Sequence, residues 1–243
     1  GKAAENGVFA AMLANEGVRG PAKSLEGQNG WFHAVTDEVH EEFLKGSDHL
    51  LLHDCYFKLY PSCRHTHCTI DAAIALYEKV SPKDIEAINV YIYPNAIKLA
   101  GIKIPKDQDE TKFSIPYTLA CALLNGSYGM ADMDPPRLTP DVLDLIERTH
   151  LISDVTMEDR PKDIRGARVE IILKNGAKAE ETVLVPKGDP ENPLTKNDII
   201  KKLRVCAQGQ SDEYTLMKLV KAVETIEGTN KFINPMKIIG AME

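Results

Sequence analysis

The sequence predicts an α+β fold, a body of mixed helices and strands flanked by helices. Three observations carry this. Helical spacings open and close the chain. Residues 87–93 alternate apolar and polar, as a half-buried strand does. Residues 167–174 and 178–185 are joined by Asn175-Gly176, the favoured dipeptide of a two-residue hairpin turn because both positions need positive φ. Strands that merely alternated with helices would suggest a parallel doubly wound sheet; the hairpin argues against it.

Taken in order, residues 2–16 read as a helix with Val8, Ala11 and Met12 facing inward, stopped by Gly17 and Gly20-Pro21. SLEGQNGWF is a turn broken by Gly27 and Gly30, before another short helix. Residues 66–80 are a strong helix on the spacing of Ile70, Ala73, Ile74 and Tyr77, ended by Ser81-Pro82. The strand over 87–93 follows, then an exposed charged loop, KIPKDQDETK. Residues 113–125 form a nearly all-apolar, buried helix bounded by Gly126, with Ser114 as its cap. Thr139-Pro140-Asp141 starts a helix whose inner face is Val142, Leu145 and Ile146. A strand, LISDV, follows His150, and then the hairpin. Thr195 with Asp198 resembles a capping box, and Leu216, Leu219, Val220 and Val223 space a closing helix over 212–225.

Of 243 residues, 43% are hydrophobic, enough for a sizeable core. With 29 basic and 36 acidic residues the net charge is −7, which argues against a nucleic-acid or anionic-membrane surface but not against a local pocket for a small anion. No apolar run is long enough to span a membrane, and the first residues lack the pattern of a secretory signal. Five cysteines, an odd and sparse set, point to a reduced, cytoplasmic protein. The chain opens in mid-helix without an initiator Met, so a fragment or split gene product is expected.

The densest chemistry lies in KLYPSCRHTHC, with Lys58, Cys63, Arg64, His65, His67 and Cys68 just before a helix. Three readings compete. A metal site would use His65, His67 and the thiols, but the spacing matches no common zinc pattern. An anion-binding, acid/base site would use Lys58 and Arg64 on a carboxylate and histidine as proton shuttle, helped by the open N–H groups of the helix start. The third is a polar surface loop. Tyr117 alone reads as a core tyrosine with a satisfied hydroxyl. His33, His40, His49, His53 and His150 read as surface or packing residues.

Three ordered segments, KLYPSCRHTHCTIDAAIALYE, KFSIPYTLACALLNG and RGARVEIILKNGAKAEETV, together with the opening GKAAENG and LEGQNGWF, resemble the C-terminal part of the MmgE/PrpD family (2-methylcitrate dehydratases, cis-aconitate decarboxylases, iminodisuccinate epimerases). The resemblance implies an all-helical domain, incomplete here, and a smaller α+β lid, with a metal-free active site in the cleft between them. On that basis residues 1–57 end the helical domain, 58–186 form the lid, and 187–243 return to the helical domain. Family members remove a proton next to a carboxylate of a di- or tricarboxylic acid, then eliminate, decarboxylate or return it.

Carried over, Lys58, His65 and Tyr117 are the catalytic candidates, and Arg64, Cys63 and His67 the substrate-binding ones. Lys58 matches the family's lysine and His65 the dehydratases' histidine. Tyr117 matches the tyrosine that lines the cleft. Cys63 stands where the decarboxylases have a histidine, and His67 matches the epimerase-like members. The dehydratases read proline-alanine-glutamate in this segment where this chain reads proline-serine-cysteine-arginine. The implied function is a lyase dehydrating a 2-methylcitrate-like acid without cofactor or metal; the alternatives are an epimerase and a non-catalytic subunit. The expected partners are a small di- or tricarboxylate, a second copy in a homodimer, and a complementary N-terminal chain; nucleic acid and membrane are not expected.

Overall fold

The computed structural model describes residues 1–38, 40, 50–133, 136–159 and 164–225; His49 and Asp134 lie outside them. The chain divides into two compact units, 1–51 and 52–243. In the first unit, α1 (Lys2–Asn15) ends two residues before Gly17, whose φ is +87°. A turn then leads to α2 (Trp31–Val35). A side chain at Gly30 would meet the Leu25 carbonyl oxygen at 2.4 Å, so the turn needs glycine there. The inward face expected of α1 is not covered: Val8 and Met12 are 62% and 63% exposed, and no residue of α1 is buried. Its spacing is that of a packing face, but this unit is too small to cover it.

The second unit holds the α+β body: α3 (His67–Tyr77), β1 (Ile85–Ile92), α4 (Pro94–Ala100), α5 (Gln108–Thr111), α6 (Ile115–Asn125), α7 (Pro140–Glu147), β2 (Thr149–Ser153), the short pair β3 (Glu158–Asp159) and β4 (Ile164–Arg165), β5 (Ala167–Leu173) and β6 (Lys178–Val183). The main sheet runs β2-β1-β5-β6, parallel between β1 and β2 and antiparallel elsewhere. Gly176, at φ +82°, makes the β5–β6 turn. On β1 the alternation holds: Ile85, Ile88, Val90 and Ile92 are buried, and the residues between them are not. α3 lies against β5, β6 and α6, and α6 against α7. Ile70, Leu76, Ile88, Leu119 and Leu123, all fully buried, fill the core between helices and sheet.

Two helices depart from the reading. α4 starts with Pro94 at its first turn, where a missing N–H costs nothing. α5 arises inside the charged stretch, because the Asp107 side chain accepts the Glu110 N–H at 2.8 Å and caps one turn. β2 also starts two residues early, Thr149 pairing with Ile88. The caps hold as read: Ser114 accepts from Tyr117 N–H, Thr139 from Val142 N–H, and Thr195 and Asp198 form a capping box at α8 (Lys196–Cys206). The last described helix is α9 (Glu213–Glu224), with Leu216 and Ala222 buried. Among the described residues, no helix is long and apolar enough to cross a membrane.

Candidate functional site

The segment before α3 is held by its own hydroxyls and backbone. Cys63 N–H donates to the Lys112 carbonyl at 2.9 Å. The Ser62 and Thr66 hydroxyls are 2.7 Å apart; Thr66 donates to the Cys63 carbonyl at 2.9 Å, and Thr69 to that of Thr66 at 2.7 Å. Residues 64–66 form a 3-10 turn that leads into the helix, so side chains diverge rather than alternate. Arg64 and His67 turn inward and are buried, His65 and Cys63 are half-buried, and Lys58 is exposed.

Arg64 Nη2 donates to Asp189 Oδ2 at 2.7 Å, with the two side chains 10% and 15% exposed. Its guanidinium lies 4.9 Å from the centre of the Tyr56 ring, and its Nη1, buried, has no hydrogen-bond partner. The loop that presents Asp189 depends on Gly188: φ is +97°, Phe57 N–H donates to its carbonyl at 2.7 Å, and an added Cβ would stand 2.1 Å from the Phe57 oxygen.

His67 is 1% exposed. Its ring meets the Tyr60 ring edge-on at 5.2 Å, and its Nε2 is buried without a partner. Burial first, and then the Arg64 charge, push its pKa down to about 3, with smaller contributions from Lys58 and Lys202. The imidazole is therefore neutral at physiological pH. His65 faces another side, its Nδ1 hydrogen-bonded to the Tyr93 hydroxyl. Burial, then Arg165 and Arg64, lower its pKa. The two histidines thus do not converge on one point, as a metal pair would. Among the described residues, no group of three or more His, Cys, Asp or Glu is arranged to hold a metal ion. Cys68 donates to the Arg165 carbonyl at 3.2 Å, and burial pushes its thiol up to about 12, so it is no nucleophile.

Tyr117 is fully buried on α6. Its hydroxyl donates to the Asp132 carbonyl and accepts from Arg137 N–H at 2.8 Å, and its ring lies 6.4 Å from that of Tyr128. These partners are all distinct from those of Arg64, His65 and His67. Lys58 is tied in through its backbone: its carbonyl accepts from Lys202 Nζ on α8. Beside this lies a pocket of about 450 Å³, bounded by Leu59, Tyr60, Ile74, Tyr128 and, from α8, Lys202 and Val205.

A family model described as MmgE/PrpD C-terminal domain matches residues 60–225. The chain belongs to the MmgE/PrpD family. Similar proteins include the human cis-aconitate decarboxylase, 24% identical over 237 residues (93% of this chain, 49% of that protein). Another is a cis-aconitate decarboxylase-like protein, oryM, of Aspergillus oryzae, 25% identical over 254 residues (93% and 50%). The chain spans about half the length of the curated relatives it matches.

Within the MmgE/PrpD match lie Cys63, Arg64, His65, His67 and Tyr117; Lys58 stands two residues before it. The sequence reading missed three residues of the same cluster. The Tyr60 hydroxyl donates to Asp71 Oδ1 at 2.5 Å, and Lys187 N–H donates to Oδ2 at 2.8 Å. Burial raises the Asp71 carboxyl despite these donors. The signal for Asp71 was available: an acid one helical turn after His67, on the buried face of an apolar helix. Asp189 had no such signal, since it reaches Arg64 across 125 residues of chain.

Proposed function

We propose that this chain supplies the C-terminal part of a lyase that takes a proton from the carbon next to a carboxylate of a 2-methylcitrate-like di- or tricarboxylic acid, with loss of water. The observation that supports it is the pair of buried, unpartnered nitrogens, Arg64 Nη1 and His67 Nε2, at the start of α3. Buried donors are normally paired, and an unpaired one marks a place for a missing group. A guanidinium and a neutral imidazole beside a helix N-terminus suit a carboxylate. Of Arg64, one nitrogen is spent on Asp189 and the other serves the substrate.

In this reading Lys58, exposed and mobile on its stem, and Arg64 hold the carboxylates and lower the energy of the enolate-like charge that forms as the proton leaves. His65, with Nδ1–H donating to the Tyr93 oxygen, keeps its other ring nitrogen to accept that proton. His67 donates to a substrate oxygen, and Cys63 lines the entrance. Tyr117 is a positioning residue, its hydroxyl being held within the core. The rest of the active site comes from a helical part beyond these 243 residues, on the same or a complementary chain, and the assembly is a homodimer in the cytoplasm.

A second reading is decarboxylation of a cis-aconitate-like acid, favoured by the names of both relatives. Epimerisation of a dicarboxylate is a third, favoured by His67 at the position of the epimerase-like members. For the protein with its helical part present, Lys58→Ala is expected to lower kcat/KM for water loss from 2-methylcitrate by about 10²-fold or more. Unchanged kinetics would sink the assignment of Lys58. Release of CO₂ from cis-aconitate would select the second reading. Solvent deuterium entering unreacted substrate without loss of water or CO₂ would select the third.

A further inference from the structure

The pocket beside the site does not suit the polyanion itself. Its walls include Leu59, Pro61, Ile74, Met130 and Val205, and carboxylates buried among them would lose their hydration without replacement. Its rim is cationic. Lys201 and Lys202 stand there with Asp198, whose carboxylate is already taken by Thr195 N–H at 2.8 Å and Thr195 Oγ1 at 2.7 Å, with Lys187 at 3.8 Å. The pocket is continuous with the candidate site through two side chains. Tyr60 forms its wall with one face and packs against His67 with its ring, and Lys202 both lines it and holds the Lys58 carbonyl.

An apolar chamber with a cationic mouth, next to a carboxylate site, fits an amphiphilic anion. We infer that this pocket takes the aliphatic tail of the substrate, so that the preferred substrate is an alkyl-substituted polycarboxylate rather than citrate or a short homologue. The inference rests on the polycarboxylate reading above and adds to it a chain-length preference. Tyr60 and Val205 then set specificity: Tyr60 divides head from tail, and Val205, 55% exposed on α8, closes the far wall.

The test is calorimetric titration of the full chain with citrate, 2-methylcitrate, 2-hexylcitrate and octanoate. Each buried methylene is worth roughly a four-fold gain in affinity, so 2-hexylcitrate is expected to bind on the order of 10²-fold more tightly than citrate. Val205→Trp, at an exposed position that leaves folding intact, fills the pocket; it is expected to erase most of that gain and leave citrate affinity unchanged. Equal affinity for citrate and 2-hexylcitrate would overturn the inference and leave the polycarboxylate reading standing, as would a gain that survives Val205→Trp. Binding of octanoate with no binding of any citrate homologue would overturn both.

Discussion

Arg64→Ala loses about 3 kcal/mol of unfolding free energy, measured by urea denaturation at neutral pH. Removing one partner of a buried ion pair leaves the other charge desolvated, which costs more than the pair itself contributes. Here the abandoned group is Asp189, 15% exposed and bonded to Arg64 at 2.7 Å. The Tyr56 ring also loses the guanidinium that lies over it. The loss exceeds that of a surface ion pair, such as Lys2–Glu5, where both side chains are well exposed. A loss under about 1 kcal/mol would show that Asp189 finds water and that the pair is not buried in solution. Asp189→Asn in the Arg64→Ala background recovers part of the loss, because the stranded charge is gone.

His67→Asn changes the pH dependence of stability. The folded pKa of His67, about 3, lies below the ordinary value of 6.5. The unfolded chain therefore binds more protons between those values, and stability rises with pH through that window. The contribution is complete above pH 6.5 and falls away as pH drops toward 3, by about 1.4 kcal/mol per unit. His65, also lowered, adds in the same direction. Asp71 acts in the opposite one: its pKa is raised above the usual 3.8, so it favours the folded state on the acid side of that raised value. The comparison of wild type with the variant isolates His67. Between pH 6.5 and 4.5 the wild type is expected to lose about 2 to 3 kcal/mol more than His67→Asn. Parallel curves would mean that the imidazole is solvated and can be charged in the folded protein.

Local features of this chain were legible in its residues. The helix starts at Ser114, Thr139 and Thr195, the left-handed Gly126, and the Asn175-Gly176 hairpin each depend on neighbours within four positions. The alternation on β1 survives because one face of the sheet is packed by α3 and α6. The site was half legible. Its location before α3 follows from the density of cations and imidazoles, but the direction of each side chain does not. An extended segment would put His65 and His67 on one face; the 3-10 turn instead sends one to Tyr93 and the other to Tyr60. The partners that set their chemistry, Asp189, Asp71 and Lys202, arrive from distant elements and carry no local signature. Tyr117 shows the converse: the plain reading, a core tyrosine with a satisfied hydroxyl, matches its hydrogen bonds, while the role implied by resemblance places it at the cleft. α1 shows a limit of periodicity, since a packing face says only that something should cover it.

The central claim is that Arg64 Nη1 and His67 Nε2 receive a carboxylate. It is tested most directly by titrating tricarballylate, a tricarboxylate with no hydroxyl to lose, into the protein and into Arg64→Lys, while following the His67 ring signals by NMR. Arg64→Lys keeps a cation for Asp189 but removes the second donor of the fork. The account predicts saturable binding to the wild type that moves the His67 ring resonances, with affinity at least 10-fold weaker in Arg64→Lys. Saturable binding that leaves His67 unmoved, or equal affinity in the two proteins, would contradict it.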